Sequence, residues 1–291
     1  MNPQTQLSKI GIGWRPELAL MIERDPQIDF IEVVAENISP DDIPRPLLNL
    51  KERGATIIPH GTGLSLGSAE PLDLKRLAHL ARLAERLGSP FVSEHVAFVR
   101  AAGRDSGHLL PLPRTRAALD VLAENILEAQ AALPVPLALE NIATLFEWPG
   151  AEMSEAAFIT AALERTNARL LLDVANLYAN ARNHGWDAAA YLDGLPLGRL
   201  AYVHIAGGVA HHRLYHDTHA HPTPRGALAL LEQLSARAHL PVVLLERDDH
   251  FPVEAELRAE LDAIAAAIER GAQRRSSPRA ALLPQTMNGH V

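Results

Sequence analysis

Histidine, carboxylate and amide side chains stand at the ends of short apolar segments throughout this sequence of 291 residues. The residues in these positions are Glu36, Asn37, His60, Glu94, His95, Glu140, Asn141, Asp173, Asn176, His204 and Glu246. Imidazole nitrogens and carboxylate oxygens are the usual ligands of metal centres that contain no cysteine. A single such histidine is equally well explained as a hydrogen-bonded core residue, but seven segments that end alike favour a shared site. The pattern therefore predicts a metal centre, provided that the fold brings these ends together.

The stretch from His204 to His221 contains six of the fourteen histidines and the triplet Asp217-Thr218-His219. On an extended backbone, the first and third residues of such a triplet point to the same side. We therefore predict Asp217 and His219 as ligands, whereas a solvated histidine-rich loop that binds metal adventitiously is the simpler alternative. The remaining histidines of the stretch are expected to surround the ligands or to be exposed: His211, His212, His216 and His221.

At least nine candidate donors exceed the four to six that a single ion commonly uses. Several metal ions that share bridging carboxylates would use the surplus and would keep the carboxylates ionised. The alternative is one ion whose ligands are oriented by the remaining residues. The number of donors favours the multinuclear arrangement.

Eight short segments that combine apolar and β-branched residues are predicted as strands. They are Ile10–Trp14, Ile28–Val34, Ala55–His60, Pro90–His95, Val135–Asn141, Arg169–Val174, Leu200–Ile205 and Pro241–Glu246. Helical periodicity, with apolar residues three and four positions apart, predicts helices between them and a last helix after them. The helices named by this pattern are Leu72–Leu87, Arg116–Leu133, Trp186–Asp193, Ala227–Ala238 and Val253–Arg270.

Alternating strands and helices predict an α/β protein with a parallel sheet, and eight such units predict a (β/α)₈ TIM barrel. In that fold, the strand ends that carry the polar residues converge on one mouth, where active sites lie. Residues 1–271 are predicted to form this single catalytic domain, and residues 272–291 a disordered C-terminal tail. The segment Arg100–Pro113 is predicted to be a long loop of the kind that binds substrate or covers a site.

Composition excludes several classes of function. The chain contains no cysteine, which excludes disulfides, iron–sulfur ligation and a cysteine nucleophile within it. With 27 basic and 35 acidic residues, the net charge of −8 argues against nucleic acid as the main partner. No apolar run reaches the roughly 18 residues of a membrane span, and the first residues lack the features of an export signal. We therefore expect a cytoplasmic enzyme that acts without a membrane.

Eight blocks of the sequence, in this order, resemble the multinuclear non-haem iron-dependent oxidative enzymes, whose best-known member is the iron oxygenase of methanobactin biosynthesis. The blocks are PHGTGLSLGS, VSEH, LLPLP, LALENI, LLLDVANLY, NHGWDAAAYL, VHIAGG and DTH. The resemblance extends from about Ile10 to Arg270. It implies a xylose-isomerase-like barrel that holds two or three iron ions and uses O₂ to modify residues, often cysteines, of ribosomally made precursor peptides in natural-product biosynthesis.

The resemblance also implies a ligand set in this chain. The positions that match the ligands of the family are His60, His95, Glu140, Asp173, Asn176, His204, Asp217, His219 and Glu246. Glu140, Asp217 and His219 are expected to act in catalysis, with Glu140 as a bridging carboxylate. The expected cofactors are Fe²⁺/Fe³⁺ with O₂ as co-substrate, and the expected partner is a precursor peptide. The sequence shows no separate peptide-recognition domain, which leaves a role for a small protein that recruits the peptide.

Three other functions use similar residues. A zinc- or manganese-dependent hydrolase or phosphodiesterase on the same barrel would need a comparable ligand set, although the negative charge argues against DNA as its substrate. A sugar isomerase would need a lysine and more aromatic residues at the mouth. A metal-storage or scaffold protein would explain the histidines but not their position at the strand ends.

Overall fold

The computed structural model describes residues 9–277 and leaves residues 1–8 and 278–291 undescribed. Twelve strands lie within the described residues, and two pairs of them are hairpins outside the main sheet. In chain order the strands are β1 (Lys9–Gly13), β2 (Phe30–Val34), β3 (Thr56–His60), β4 (Val92–His95), β5 (Phe98–Ala101), β6 (Arg104–Leu110), β7 (Leu137–Glu140), β8 (Arg169–Asp173), β9 (Leu200–Ile205), β10 (Val209–His211), β11 (Leu214–His216) and β12 (Val242–Leu245).

The other eight strands form a closed barrel in the order β1-β12-β9-β8-β7-β4-β3-β2. All neighbouring strands are parallel, and β1 closes the barrel against β12 with Ile12 opposite Leu245. These eight strands are the eight predicted segments, with ends that differ by a few residues at most. The predicted (β/α)₈ barrel is therefore confirmed.

Nine helices among the described residues provide the crossovers and cover the outside of the barrel. They are α1 (Ala19–Arg24), α2 (Arg45–Glu52), α3 (Leu74–Leu87), α4 (Arg116–Ala132), α5 (Glu155–Thr166), α6 (Val174–His184), α7 (Ala188–Asp193), α8 (Arg225–Arg237) and α9 (Glu254–Ser276). α3 shows how the local sequence defines such a helix. The Asp73 carboxylate caps its first turn by accepting hydrogen bonds from two backbone N–H groups, and Gly88 ends it with a φ of 70°.

The helix α9 is longer than predicted, so residues 272–276 are helical rather than part of a disordered tail. Its last turns pack closely on α8, where a Cβ atom at Gly271 would lie 2.3 Å from the carbonyl oxygen of Glu232. Arg274 forms an ion pair with Glu232, and Arg275 donates hydrogen bonds to the backbone carbonyls of Ser235 and Ala238 at the C-terminal end of α8. These contacts explain why the helix continues, and the rest of the predicted tail, residues 278–291, lies outside the described residues.

The segment predicted as the long loop Arg100–Pro113 is mostly the antiparallel hairpin of β5 and β6. Its polar and glycine-containing sequence lacks the apolar alternation by which a strand is recognised, which is why a loop was the expectation. A second hairpin, β10–β11, lies within the histidine-rich stretch after β9. Among the described helices, none is long and apolar enough to cross a membrane.

Side chains that point into the barrel are arranged in layers. The lower layer is apolar and contains Phe30, Ile58, Phe91, Ala138, Leu171, Tyr202 and Leu244 among its buried members. The intervening residues of the same strands, such as Ile57, Leu139 and Val203, belong to the core between barrel and helices. This alternation follows from the two-residue period of a strand. It decides which residues reach the barrel axis above the apolar layer.

Candidate metal centre

A polar layer lies directly above the apolar one, because each of its residues follows an apolar inward-pointing residue by two positions. Phe30 is thus followed by Glu32, Ile58 by His60, and the other strands behave alike. The inward-pointing polar residues at this level are Glu32, His60, Ser93, Glu140, Asp173, His204 and Glu246, and all of them are buried. Burial of so many ionisable groups is costly unless each is paired or binds a cation.

Three groups of potential ligands overlap at this mouth of the barrel. Within each group, one ligand atom of every residue lies within 4.8 Å of the others. The groups among the described residues are His60, His95 and Glu140; Glu140, Asp173, His204 and Glu246; and Asp173, Asp217 and His219. Glu140 belongs to the first and second groups, and Asp173 belongs to the second and third. Carboxylates shared in this way are suited to bridge neighbouring cations, which supports the multinuclear arrangement.

Glu140 is the closest link between the groups. Its Oε2 atom lies 3.4 Å from Nε2 of His60 and 3.3 Å from Nε2 of His95. Its Oε1 atom lies 3.2 Å from Nδ1 of His204. In the third group, Nε2 of His219 lies 2.6 Å from Oδ2 of Asp217. The Asp-Thr-His triplet thus brings both of its side chains to one site, although His219 is in the left-handed region and not on the extended backbone that the prediction assumed.

Four carboxylate oxygens in these groups lack a hydrogen-bond partner. Among the described residues, six buried side-chain N or O atoms are unpartnered, and four of them are Glu140 Oε2, Asp173 Oδ2, Asp217 Oδ1 and Glu246 Oε2. Glu246 Oε2 lies 3.2 Å from Nδ1 of His204 but without the alignment of a hydrogen bond. Unpartnered buried carboxylate oxygens are rare because they are costly, and metal coordination would satisfy all four. The donor set therefore fits a site for cations.

Each of the four imidazoles has one nitrogen bound by a supporting group and the other facing the carboxylates. Nδ1 of His60 contacts Ser93 Oγ at 2.8 Å, and Nδ1 of His95 contacts the Gly61 carbonyl at 3.1 Å. Nε2 of His204 contacts Glu32 at 2.8 Å. Such contacts orient histidine ligands in metalloproteins. They leave Nε2 of His60 and His95, and Nδ1 of His204, directed at the centre.

His219 is held in the same manner from a different element. Its backbone has a φ of 51°, in the left-handed region, and its Nδ1 contacts Oδ2 of Asp248 at 2.9 Å. Arg15 forms an ion pair with the other oxygen of Asp248. This contact leaves Nε2 of His219, which lies against Oδ2 of Asp217, as the possible ligand atom.

Asn176 lies at the start of α6, beside the second and third groups. Its backbone N–H donates to Asp173 Oδ1 at 2.8 Å, so that this oxygen caps the helix while Oδ2 faces the centre. The Asn176 amide nitrogen donates to the Asn141 carbonyl at 3.0 Å, which leaves the amide oxygen as its possible ligand atom. Asn176 also lines the cavity above the centre.

The electrostatics of the metal-free centre are those of buried acids and imidazoles that neutralise each other. Burial, reinforced by the Asp217 carboxylate, raises the pKa of Asp173 well above its usual range. Burial disfavours charge on His204, but the nearby carboxylates of Glu246 and Glu32 outweigh it and raise its pKa. In His60, burial and the neighbouring His95 lower the pKa. Bound protons and imidazolium groups thus neutralise the buried carboxylates, as metal cations would.

Metal binding is therefore expected to release protons and to strengthen as pH rises. Burial lowers the pKa of His95, but Glu140 and Glu94 outweigh it and raise the pKa to about 9. A folded-state pKa raised from 6.5 stabilises the metal-free protein below pH 6.5, and this contribution is lost as pH rises through 9. A divalent cation must displace this proton, so its affinity should increase between pH 6.5 and 9.

Calorimetric titration of Zn²⁺ in two buffers with different ionisation enthalpies, at pH 7 and pH 9, measures that release. The variant His95→Gln should release fewer protons at pH 7 than the unmodified chain. Affinity and proton release that do not change with pH would contradict the assignment of His95 as a protonated ligand.

A cavity of about 580 Å³ opens above the centre. The candidate ligands Glu140, His95, Asp217 and His219 form its floor, and the loop after β7, with Leu145 and Phe146, forms an apolar wall. The hairpin strand β6 contributes Gly107, His108, Leu109 and Leu110 to its rim. The segment predicted to bind substrate or to cover a site thus lies at the opening, although it is a hairpin.

The structure brings eight of the nine predicted ligands into the three groups and places the ninth, Asn176, at the cavity beside them. Glu36 and Asn37 are exposed and lie outside the groups. The sequence interpretation missed Glu32, Ser93, Tyr202 and Asp248. The signal for Glu32 was available, since a carboxylate interrupts the apolar run of β2 at an inward-pointing position.

Comparison with known proteins gives a consistent result. The model of the family described as RiPP precursor modification enzyme MbnB/TglH/ChrH matches residues 9–269. A UPF0276 protein of Streptomyces avermitilis is 54% identical over 271 residues, which are 91% of this chain but only 56% of that longer protein. A UPF0276 protein of Rhizorhabdus wittichii is 39% identical over 258 residues, covering 87% of this chain and 92% of that protein.

Solved structures with the same fold are distant in sequence. An L-ribulose 3-epimerase matches with a TM-score of 0.61 and 18% identity, over 95% of this chain and all of that one. A xylose isomerase domain protein from Planctomyces limnophilus matches with a TM-score of 0.51 and 14% identity, over 92% of this chain and 98% of that one. At such identities the likeness establishes the fold alone, which is the expected xylose-isomerase-like barrel.

Proposed function

We propose, from the premise that this chain belongs to the MbnB/TglH/ChrH family of RiPP precursor modification enzymes, that it uses iron and O₂ to oxidise a residue of a ribosomally made precursor peptide. Membership of an enzyme family that modifies such precursors follows from the match over residues 9–269. Iron, O₂ and the oxidative reaction are the proposal. The observation that carries it is the set of four unpartnered carboxylate oxygens within three overlapping ligand groups.

The donor set is compatible with iron. It consists of imidazole and carboxylate groups without thiolates, and non-haem iron that reacts with O₂ is commonly bound by such ligands. When bound, two or three iron ions would supply the electrons for reduction of O₂ and coordination positions for a substrate group. The sharing of Glu140 and Asp173 between groups supports more than one ion.

The chain itself orients ligands and limits access to them. Asp248, Ser93 and Glu32 hold imidazoles in fixed orientations, which preserves the geometry of the site between turnovers. Most of the ligand carboxylates are buried, so water reaches them mainly through the cavity at the mouth. The cavity of about 580 Å³ accommodates a few residues of an extended peptide rather than a folded domain. We propose that the modified residue is a cysteine or the C-terminal residue of that peptide.

Metal analysis of anaerobically purified protein tests this proposal first. We expect two or more iron ions per chain and a Mössbauer spectrum typical of high-spin iron bound by nitrogen and oxygen. Zinc alone, together with phosphatase or phosphodiesterase activity, would overturn the oxidative proposal in favour of a metal-dependent hydrolase.

The second test uses a cysteine-rich peptide that is encoded beside the gene for this protein. The reaction is run with and without a further protein that is encoded next to the peptide. A partner that recruits the peptide is part of the proposal. We expect O₂ consumption and a change in the mass of the peptide that requires the iron-loaded enzyme. Iron loading without any mass change in either arm would contradict the proposed substrate class.

A further inference from the structure

A row of buried hydrogen bonds beneath the metal centre joins His60 to His204. The contacts are His60 Nδ1 to Ser93 Oγ at 2.8 Å, Ser93 Oγ to Tyr202 OH at 2.6 Å, Tyr202 OH to Glu32 Oε2 at 2.5 Å, and His204 Nε2 to Glu32 Oε2 at 2.8 Å. The three connecting side chains come from β2, β4 and β9, no two of which are adjacent in the barrel. The row therefore crosses the barrel interior between the apolar layer and the ligands.

All five residues of the row are buried, with exposed fractions between 0 and 3%. Buried hydroxyl, imidazole and carboxyl groups need hydrogen-bond partners, and here the members of the row provide them for each other. The ring of Tyr202 packs edge-on against His204, with 5.1 Å between centroids, and at a tilt of 53° against Phe30, with 5.6 Å between centroids. Its hydroxyl is consequently held at one position, between Ser93 and Glu32.

An ionised Glu32 carboxylate sets the direction of the hydrogen bonds. Its Oε2 atom then accepts from both the Tyr202 hydroxyl and the N–H at Nε2 of His204. Since the only hydrogen of the Tyr202 hydroxyl is used in this way, its oxygen must accept from Ser93. The Ser93 oxygen then accepts from the N–H at Nδ1 of His60. The Glu32 carboxylate, between Tyr202 and His204, thus fixes the position of every hydrogen in the row.

This order leaves the correct nitrogen of each imidazole available at the centre. His60 keeps its hydrogen on Nδ1 and presents Nε2, which lies 3.4 Å from Glu140 Oε2. His204 keeps its hydrogen on Nε2 and presents Nδ1, which lies 3.2 Å from Glu140 Oε1. The two histidines belong to different ligand groups that share Glu140.

We propose that Glu32, Tyr202 and Ser93 are positioning residues that act as one unit, fixing the tautomer and orientation of His60 and His204 and so coupling two adjacent metal positions. The inference rests on the part of the proposed function that places metal ions in this centre. It does not depend on iron, O₂ or the peptide. Groups that orient metal-bound histidines typically change metal affinity by roughly 10–100-fold when removed.

The variant Tyr202→Phe tests the inference because it removes the central hydroxyl and keeps the ring that packs on Phe30 and His204. The matched control is Tyr191→Phe, since the hydroxyl of Tyr191 also donates to a carboxylate, Glu155, at 3.2 Å, in a buried position outside the three groups. Both proteins are titrated anaerobically with Co²⁺, whose visible absorption reports the geometry of its ligands.

We expect Tyr202→Phe to bind Co²⁺ roughly 10–100-fold more weakly and with an altered absorption spectrum. Tyr191→Phe should match the unmodified protein in both measurements. Unchanged affinity and spectrum in Tyr202→Phe would overturn the inference, because a tyrosine with only a structural role would alter the melting temperature but not the Co²⁺ spectrum.

The variant Ser93→Ala removes the hydroxyl between His60 and Tyr202 and should by itself weaken Co²⁺ binding and alter the spectrum, which keeps the test decisive if Tyr202→Phe does not fold. Members of one row are expected to be non-additive, so the double variant should weaken Co²⁺ binding by less than the product of the two single effects. Independent effects that simply multiply would contradict action as one unit. Since Co²⁺ binding needs neither peptide nor O₂, this result can be interpreted even if the protein does not oxidise the peptide.

Discussion

Replacement of Glu140 by alanine is expected to prevent metal loading and to abolish the modification of the peptide, while the barrel remains folded. Glu140 contacts three imidazoles, those of His60, His95 and His204, and it belongs to two of the three ligand groups. Its removal would take a ligand from two metal positions at once. The loss should therefore exceed the roughly 10–100-fold typical for the removal of a supporting residue.

The fold should survive this substitution because the barrel is closed by backbone hydrogen bonds between parallel strands, which Glu140→Ala does not touch. Elemental mass spectrometry measures the loss of iron, and far-UV circular dichroism measures whether the fold is retained. The variant His60→Ala should likewise lose metal, most strongly from the first group.

The matched control is Glu36→Ala. Glu36 is the same residue type at the same end of the barrel, but it is exposed and accepts a hydrogen bond from the Thr62 backbone instead of facing the centre. Its variant should retain the metal content of the unmodified chain. Normal iron content in Glu140→Ala would show that the ligand groups are wrongly assigned.

The contrast between Glu36 and Glu32 shows what the sequence could and could not predict about this site. The eight barrel strands were recognisable because each is a short apolar run, and most of the candidate ligands were recognisable because polar residues end those runs. Glu32 lies inside such a run, so a search of the segment ends selected Glu36 instead. The two-residue alternation along β2 would have assigned Glu32 to the inward side.

Other features depend on contacts between distant segments. The hydrogen bond between Tyr202 and Glu32 joins residues 170 positions apart, and no local pattern indicates it. A tyrosine in a strand is usually a core residue, and Tyr202 is one except for its hydroxyl. The hairpin β5–β6 is polar on its exposed strand, so it lacked the alternation that identifies buried strands. Sequence reasoning thus reached the candidate ligands that the barrel brings together but not the groups that contact them.

The substitution Asp173→Asn is expected to change stability in opposite directions in the metal-free and the metal-loaded protein. In the metal-free protein, Oδ2 of Asp173 is buried without a partner, and burial raises the pKa of this carboxyl well above 3.8. A pKa raised on folding stabilises the protein below pH 3.8, and that contribution is lost as pH rises. An uncharged amide avoids this loss and has N–H groups to donate to the neighbouring carboxylates.

We therefore expect the metal-free variant to melt higher at pH 8 and to differ little near pH 4. Relief of one unsatisfied buried acceptor contributes about 1–3 kcal/mol, and each kcal/mol corresponds to roughly 2–4 °C in a domain of somewhat smaller size. With metal bound, the same substitution is expected to lower the melting temperature instead of raising it. Asp173 is shared by two groups, and loss of binding forfeits about 2.7 kcal/mol at a metal concentration 100 times Kd.

The control variant is Asp187→Asn. Asp187 caps α7 in the same way that Asp173 caps α6, but it is exposed and outside the centre, and asparagine is an equally good cap. At pH 8 the melting temperature of Asp173→Asn should therefore rise in the chelator and fall with added metal, whereas in the chelator at pH 4 it should change little. Asp187→Asn should not shift under any of these conditions. If Asp173→Asn lowered the melting temperature in the chelator at pH 8, the carboxylate would be stabilising without a cation. The unpartnered oxygens would then be no sign of a metal centre, because the buried acids would be compensated by the imidazoles alone.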